Sequence, residues 1–295
     1  GERKFELLSD WLAEKDGMFE QCGVLGGDFA HLDLVSKVGF AAATGDVIAF
    51  TDDDVIVDPS WVAAIAANFA ASDRIGCVTG LILPAELETR AQYWTERHGG
   101  FGKGLARKVF DPQQSDRYGP LFPYAAGAFG SGANMAFRRE TLSRMGGFDA
   151  ALGAGTMARG GDDLAGFFAA LDAGYQLAYE PGAIVWHHHR RNQDGMRRQA
   201  YGYGVGLGAY LTKLIGDDPA RMATFLRRFP AALRHLFSRK SGKLERLPGD
   251  YPRRLVWSER WGMVMGIPGY LRSLHALRRE KAQPTPAAVA KTIDI

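Results

Sequence analysis

An α/β fold with a basic, mainly helical appendage at its carboxyl end is predicted by three features of this 295-residue chain. Short apolar runs without alternation, such as Val47-Ile48-Ala49-Phe50, read as strands buried on both faces of a mostly parallel sheet. Between them lie stretches with apolar residues three and four apart, which gives the strand–helix alternation of layered α/β folds. Charge is also divided. Residues 1–189 carry 15 Lys/Arg against 25 Asp/Glu, a net −10, whereas 190–295 carry 21 against 8, a net +13. The expected boundary falls at residue 192, with a catalytic unit over 1–192 and the basic helical region over 193–295.

A content of 46% hydrophobic and 23% charged residues suits a full core and excludes disordered and fibrous classes. The two cysteines, Cys22 and Cys77, form neither a metal-ligand spacing nor a disulfide framework, so a reducing, cytoplasmic setting is expected. No apolar stretch reaches the roughly 18 residues of a membrane span, and Gly1-Glu2-Arg3-Lys4 is neither a signal peptide nor a natural start. The chain is therefore expected to be cut at its amino end.

In order, residues 1–20 read as a helix ended by Gly17, and Cys22 to His31 as a strand and loop whose glycines serve turns. Leu34 to Ala43 is a further helix, and the turn Thr44-Gly45-Asp46 delivers the chain into the strand 47–50. Asp52-Asp53-Asp54 follow. Asp58 as N-cap and Pro59 at the first helical position start a helix through Val62, Ile65 and Phe69. A strand over Ile75–Gly80 then completes a βαβ unit. Glu86 to Tyr124 reads as a surface excursion over the site.

Gly130 to Arg139 is a small-residue loop running into a strand. It allows a ligand to approach backbone closely, or is ordinary turn chemistry. Glu140–Met145 is a short helix stopped by Gly146-Gly147. Asp162-Asp163 open a helix with Leu164, Phe167, Phe168 and Leu171 on its apolar face, closed by Gly174. Tyr175–Tyr179 and Ala183–Trp186 read as two short strands, the second ending in His187-His188-His189. Beyond them, Ala200 to Leu211 is an uncharged, glycine-rich run suited to close helix packing. Arg221 to Lys240 is a basic amphipathic helix, and Trp257 to Tyr270 an aromatic stretch broken by Pro268. Basic and aromatic residues together suit a membrane interface, or else a helical cover on the sheet. Ala282 to Ile295 reads as a loose tail.

Two acidic clusters carry the chemistry. Three carboxylates past a buried strand repel one another unless a cation holds them, and Mg²⁺ or Mn²⁺ takes such oxygens together with substrate phosphates. The alternative is a helix cap with solvated loop charges. Asp162 and Asp163 either complement a helix dipole or supply a general base. The histidine run either ligates a metal or, with Arg190-Arg191, faces phosphate.

Taken together, Ala42 to Asp54, Gly130 to Phe137, Gly146-Gly147-Phe148-Asp149, Asp162-Asp163 and Trp186-His187 resemble family 2 glycosyltransferases with the GT-A fold, over about residues 34–192. The resemblance implies a DXD-type metal and diphosphate site at Asp52 and Asp54, with Asp53 toward the donor sugar or ribose. Gly132 and Asn134 are the further donor-contacting candidates. It implies Asp163 as base on the acceptor hydroxyl, Asp162 as an acceptor-orienting carboxylate, and His187 as a further metal ligand with His189 as the fallback. The family's opening strand and nucleotide-holding aspartate have no copy between Gly1 and Cys22, and the step before the Thr-Gly-Asp turn is altered to Ser36-Lys37-Val38-Gly39.

The implied function is Mn²⁺- or Mg²⁺-dependent inverting transfer of a sugar from a nucleotide-sugar to a glycan or lipid-linked acceptor, as in cell-envelope synthesis. The expected location is cytoplasmic, peripheral on the inner face of the membrane, with no nucleic-acid partner. The other readings are a metal-dependent nucleotidyl or phosphoryl transferase, and a non-catalytic module that binds glycan or membrane.

Overall fold

A computed structural model describes residues 22–25, 43–99, 101–237, 247 and 249–282. The helices expected over 1–20 and 34–43 and the tail beyond 282 lie outside those residues. One sheet organises the rest. Its strands are β1 (Cys22–Leu25), β2 (Val47–Thr51), β3 (Val55–Val57), β4 (Ile75–Pro84), β5 (Lys108–Phe110), β6 (Asn134–Arg138) and β7 (Gln176–His187). They run in the order β1-β2-β6-β4-β7-β3, with β5 also on β7.

The sheet is mixed, which corrects the expectation of a mostly parallel one. β1–β2 and β4–β7 are parallel, while β2–β6, β4–β6, β3–β7 and β5–β7 are antiparallel. The helix α1 (Trp61–Ala71) carries the chain from β2 back to a parallel β4, but one place remains between them, and β6 fills it in the opposite direction. Helices cover both faces. Trp61, Ile65 and Phe69 of α1 pack with Val78 and Val185 on one face. On the other, Phe167, Phe168 and Leu171 of a later helix pack with Ile48 and Phe137. Burial from both sides is why β2 and β4 read as unbroken apolar runs.

Several boundaries differ from expectation for identifiable reasons. α1 begins at Trp61; Asp58 instead closes a turn, its Oδ1 accepting from the Ser60 amide at 2.9 Å. The two strands expected over 175–186 are one strand, because the pairing with β4 jumps from Gly80↔Glu180 to Leu81↔Ile184 and absorbs Pro181, Gly182 and Ala183 in a bulge. Residues 86–124 are not only a surface excursion. They hold α2 (Arg90–Gly99), which buries Ala91, Gln92, Trp94 and His98, and the strand β5. The short helix α3 (Arg139–Arg144) and then α4 (Asp162–Asp172) follow, the latter ended by Gly174 at φ +88° as its sequence requires.

Among the described residues three helices follow: α5 (Gln193–Asp217), α6 (Arg221–Phe237) and α7 (Arg253–Ala282). α7 runs through Pro268 without stopping, against the expected break. Close packing on α5 holds it there. A Cβ on Gly208 would lie 2.0 Å from Met263 O, and one on Gly266 would lie 2.4 Å from Val205 O. The two backbones touch, so the glycines that weaken an isolated helix are what lets this pair form. Ala209, Tyr210, Leu214 and Tyr270 enter the same core as α4, and the Tyr210 hydroxyl donates to Tyr124 O at 3.1 Å.

Candidate functional site

The two acidic clusters meet at one edge of the sheet. The Thr51 hydroxyl donates to Ala133 O at 3.0 Å, which ties the end of β2 to the start of β6. Asp52 follows at once, and Asp53-Asp54 turn the chain into β3. β3 pairs with β7 in the register Val55↔His187, and the His188 amide donates to Asp54 O at 2.9 Å. That register brings His187 Nε2 to 3.4 Å from Asp54 Oδ1. Asp52, Asp54 and His187 then offer one ligand atom each, all within 4.8 Å of one another. Two carboxylate oxygens and an imidazole form a donor set that fits a divalent ion such as Mn²⁺. Asp53 is exposed on the turn. Burial, and then the charges of Asp54, Asp163 and Asp53, push the Asp52 carboxyl up to about 7. Negative charge is thus concentrated here beyond what the protein itself neutralises.

His187 is buried and its ring is oriented from behind. Its Nδ1 lies 3.2 Å from His189 Nδ1, and His189 Nε2 lies 3.1 Å from Glu96 Oε2 of α2. With Glu96 accepting from His189 Nε2–H, His189 Nδ1 is an acceptor, and the proton of His187 sits on Nδ1. The lone pair of His187 Nε2 then faces Asp54, the tautomer that metal ligation needs. Glu96→Ala is accordingly expected to weaken Mn²⁺ binding about 10- to 100-fold, and to cost the metal-free chain about 1–3 kcal/mol by leaving the buried His189 Nε2–H without its acceptor. Calorimetric titration with Mn²⁺ checks this, and an unchanged affinity would remove Glu96 from the site.

The second cluster opens α4. Gly161, at φ +89°, turns the chain so that Asp162 and Asp163 begin the helix. Asp163 Oδ2 accepts from the Gly132 amide at 2.9 Å and Oδ1 from the Leu164 amide at 2.7 Å. Each oxygen keeps a second lone pair. Asp162 is buried, and its Oδ2 meets no partner. Burial, reinforced by Asp163, pushes Asp162 up to about 7, and burial raises Asp163 as well. Asp163 also repels Asp52, so the two clusters face each other electrostatically.

Two candidates have other duties. Gly132 spends its amide on Asp163, and a Cβ there would sit 3.2 Å from Asp163 Cβ, so glycine permits the approach of that carboxylate. Asn134 is fully buried. It accepts from Trp61 Nε1 at 2.8 Å and donates to Leu81 O and Ala183 O, which leaves its side chain no hydrogen for a ligand. Asn134 is thus engaged wholly within the protein, while Gly132 stays partly exposed beside Asp163.

Beside Asp54 opens a cavity of about 530 Å³, lined by Glu86, His188, Arg190, Arg191 and Asn192. Sequence reasoning missed Glu96 and Phe101, whose ring lies 5.0 Å from that of His187 and 6.3 Å from that of Tyr203. Gln92 and Glu96 are four apart, a spacing that signals a shared face only once α2 is known to be helical.

A family model described as Glycosyl transferase family group 2 matches residues 47–275. The chain belongs to that family. The match runs well past Asn192, where the resemblance read from the sequence ends, so α5 and most of α7 lie within the family region. Among curated family relatives, the pre-mycofactocin glycosyltransferases of two Mycobacterium tuberculosis strains are 26% identical over 199 residues, covering 62% of this chain and 38% of theirs. The chain thus spans about two fifths of the length of these relatives. Among solved structures, a mannosyltransferase from Pyrobaculum calidifontis in complex with GDP-Man and Mn²⁺ is similar at 18% identity and a TM-score of 0.38, covering 86% of this chain and 56% of that one. A mycobacterial protein is similar at 14% identity and a TM-score of 0.37, covering 71% and 68%.

Proposed function

We propose that this family member is a metal-dependent inverting glycosyltransferase, which moves a sugar from a nucleotide-sugar to a hydroxyl of a glycan or lipid-linked acceptor. One observation carries the reading: Asp52, Asp54 and His187 gather ligand atoms within 4.8 Å of one another, across from a separately held carboxylate, Asp163. A nucleotidyl transferase would use the first group and leave the second without a task.

In this reading Asp163 takes the proton of the acceptor hydroxyl. The acceptor oxygen forms the new bond to the anomeric carbon from the face opposite the diphosphate, and the departing diphosphate oxygen keeps the electron pair of the bond that breaks. Gly132 and Leu164 hold the Asp163 carboxylate in place through their amides. Asp162, beside it in the first turn of α4, orients the acceptor. Asp53, on the exposed turn, reaches the donor ribose or sugar. Asp52, Asp54 and His187 would hold Mn²⁺ or Mg²⁺, which when bound neutralises charge on the leaving diphosphate. Arg190 and Arg191 add positive charge in the adjoining cavity. We place this chemistry in the cytoplasm, at the inner face of the membrane.

Calorimetric titration with UDP-, GDP- and dTDP-sugars, with and without Mn²⁺, tests the donor half of the reaction. One nucleotide-sugar is expected to bind only with metal, and not to Asp54→Ala. Binding that survives chelation and the substitution alike would overturn the assignment.

A further inference from the structure

α7 carries an apolar face that no described residue covers. Trp257, Trp261, Val264, Ile267 and Leu271 are 63, 61, 55, 51 and 54% exposed. Their spacing of three and four residues places all five on one side of the helix, in a band about 21 Å long. That band has no way to turn inward, because the other side of α7 is fixed. Gly262 and Gly266 are wedged against α5, Glu259 meets His98 of α2 at 2.9 Å, and the Tyr270 hydroxyl donates to Asp149 at 3.0 Å. Single exposed apolar residues are ordinary on a protein surface, but two tryptophans and three aliphatic side chains in one band mark an interaction surface.

Charge identifies the occupant. Arg253 and Arg254 stand exposed at one end of the band, Arg272, Arg278 and Arg279 at the other, and Arg260 lies over the Trp257 ring at 5.2 Å. From Arg253 to Arg279 the single acidic residue is Glu259, which is turned inward onto His98. A second copy of the chain would bring one arginine-edged face against another and be repelled. A surface of anionic headgroups over an apolar interior complements both the arginines and the band between them. Tryptophan suits the boundary, with an apolar ring and an indole N–H that reaches the polar layer. No described helix is long and apolar enough to cross a membrane.

We propose that the Trp257–Leu271 face of α7 docks in the plane of an anionic lipid bilayer, with the tryptophans seated among the headgroups and the flanking arginines on lipid phosphates. The docking does not depend on the chemistry assigned to the acidic clusters. It gives the basic region a task separate from catalysis and would hold the transfer site near a lipid-linked acceptor.

Co-sedimentation with vesicles of phosphatidylcholine alone, and of phosphatidylcholine mixed with phosphatidylglycerol, tests the proposal, with tryptophan emission read in parallel. The chain is expected to bind the mixed vesicles with a blue shift, to bind less as salt rises, and to bind phosphatidylcholine weakly. The double variant Trp257→Gln/Trp261→Gln changes only exposed side chains, and circular dichroism verifies its fold. Its partition should fall at least about tenfold. Absence of binding to the anionic vesicles, or equal binding by the folded double variant, would overturn the proposal. So would a lipid-free dimer, seen by analytical ultracentrifugation, that the same variant dissociates, since the face would then belong to a second copy.

Discussion

Asp163→Asn is expected to lower the transfer rate by about 10²- to 10⁴-fold while leaving nucleotide-sugar affinity within about twofold. Asparagine keeps the shape of the side chain, and its carbonyl can still accept from the Gly132 amide. The Leu164 amide loses its acceptor, at a cost of roughly 1 kcal/mol, so the fold survives. What disappears is the basic lone pair. If Asp163 takes the acceptor proton, the loss falls on the rate and not on donor binding, because the cluster of Asp52, Asp54 and His187 is untouched. Asp54→Asn should behave differently, weakening donor binding and rate together. Steady-state kinetics beside calorimetry separates the two patterns. A loss of donor affinity in Asp163→Asn equal to its loss of rate would move Asp163 to the donor side of the site and sink the base assignment.

The parts of this site that were legible in the sequence share one property: their local chemistry agrees with the final fold. Val47 to Phe50 is apolar because both faces of β2 are covered, and the carboxylates after it belong at the sheet edge whatever lies elsewhere. Gly146-Gly147 and Gly174 mark helix ends because each adopts positive φ. The misreadings arose where a distant partner decided the outcome. Glu180-Pro181-Gly182 looks like a turn, yet β4 alongside absorbs it as a bulge. Pro268 looks like a helix end, yet α7 is held on both sides of it by its seat on α5. Asn134 looks like a ligand residue in a small-residue loop. Its real partners are Trp61, Leu81 and Ala183, which only the sheet brings to it. The chain from His187 through His189 to Glu96 was beyond reach because only the fold sets α2 against the end of β7, although Thr89 and Gln92 form the capping box that starts α2, each accepting from the other's amide.

The acidic site should also make the metal-free protein less stable as pH rises, and Asp162→Asn should remove part of that loss. In the fold Asp162 is raised from 3.8 to about 7, as is Asp52, with burial the leading cause for both. The sign follows from linkage. Below 3.8 the carboxyl is protonated whether the chain is folded or not, and no penalty exists. Between 3.8 and about 7 the unfolded chain ionises while the folded one does not, so unfolding becomes easier as pH increases. Above about 7 the full cost is present. A three-unit shift corresponds to about 4 kcal/mol, and since Asp162 titrates together with Asp163 the gain for one substitution is set on the order of 2 kcal/mol. Asp162→Asn is therefore expected to be more stable than the parent chain by about that amount at about pH 8, and no more stable at about pH 4. Urea unfolding in a chelating buffer measures both differences. Carboxylates held low, such as Asp111, change stability in the opposite direction but cancel in the comparison of the two proteins. Mn²⁺ bound by Asp52, Asp54 and His187 would offset the same charge, so the advantage of Asp162→Asn at about pH 8 should shrink when metal is added. An advantage that is equal at both pH values, and indifferent to Mn²⁺, would mean that Asp162 carries no raised carboxyl and that the acidic clusters are not electrostatically joined.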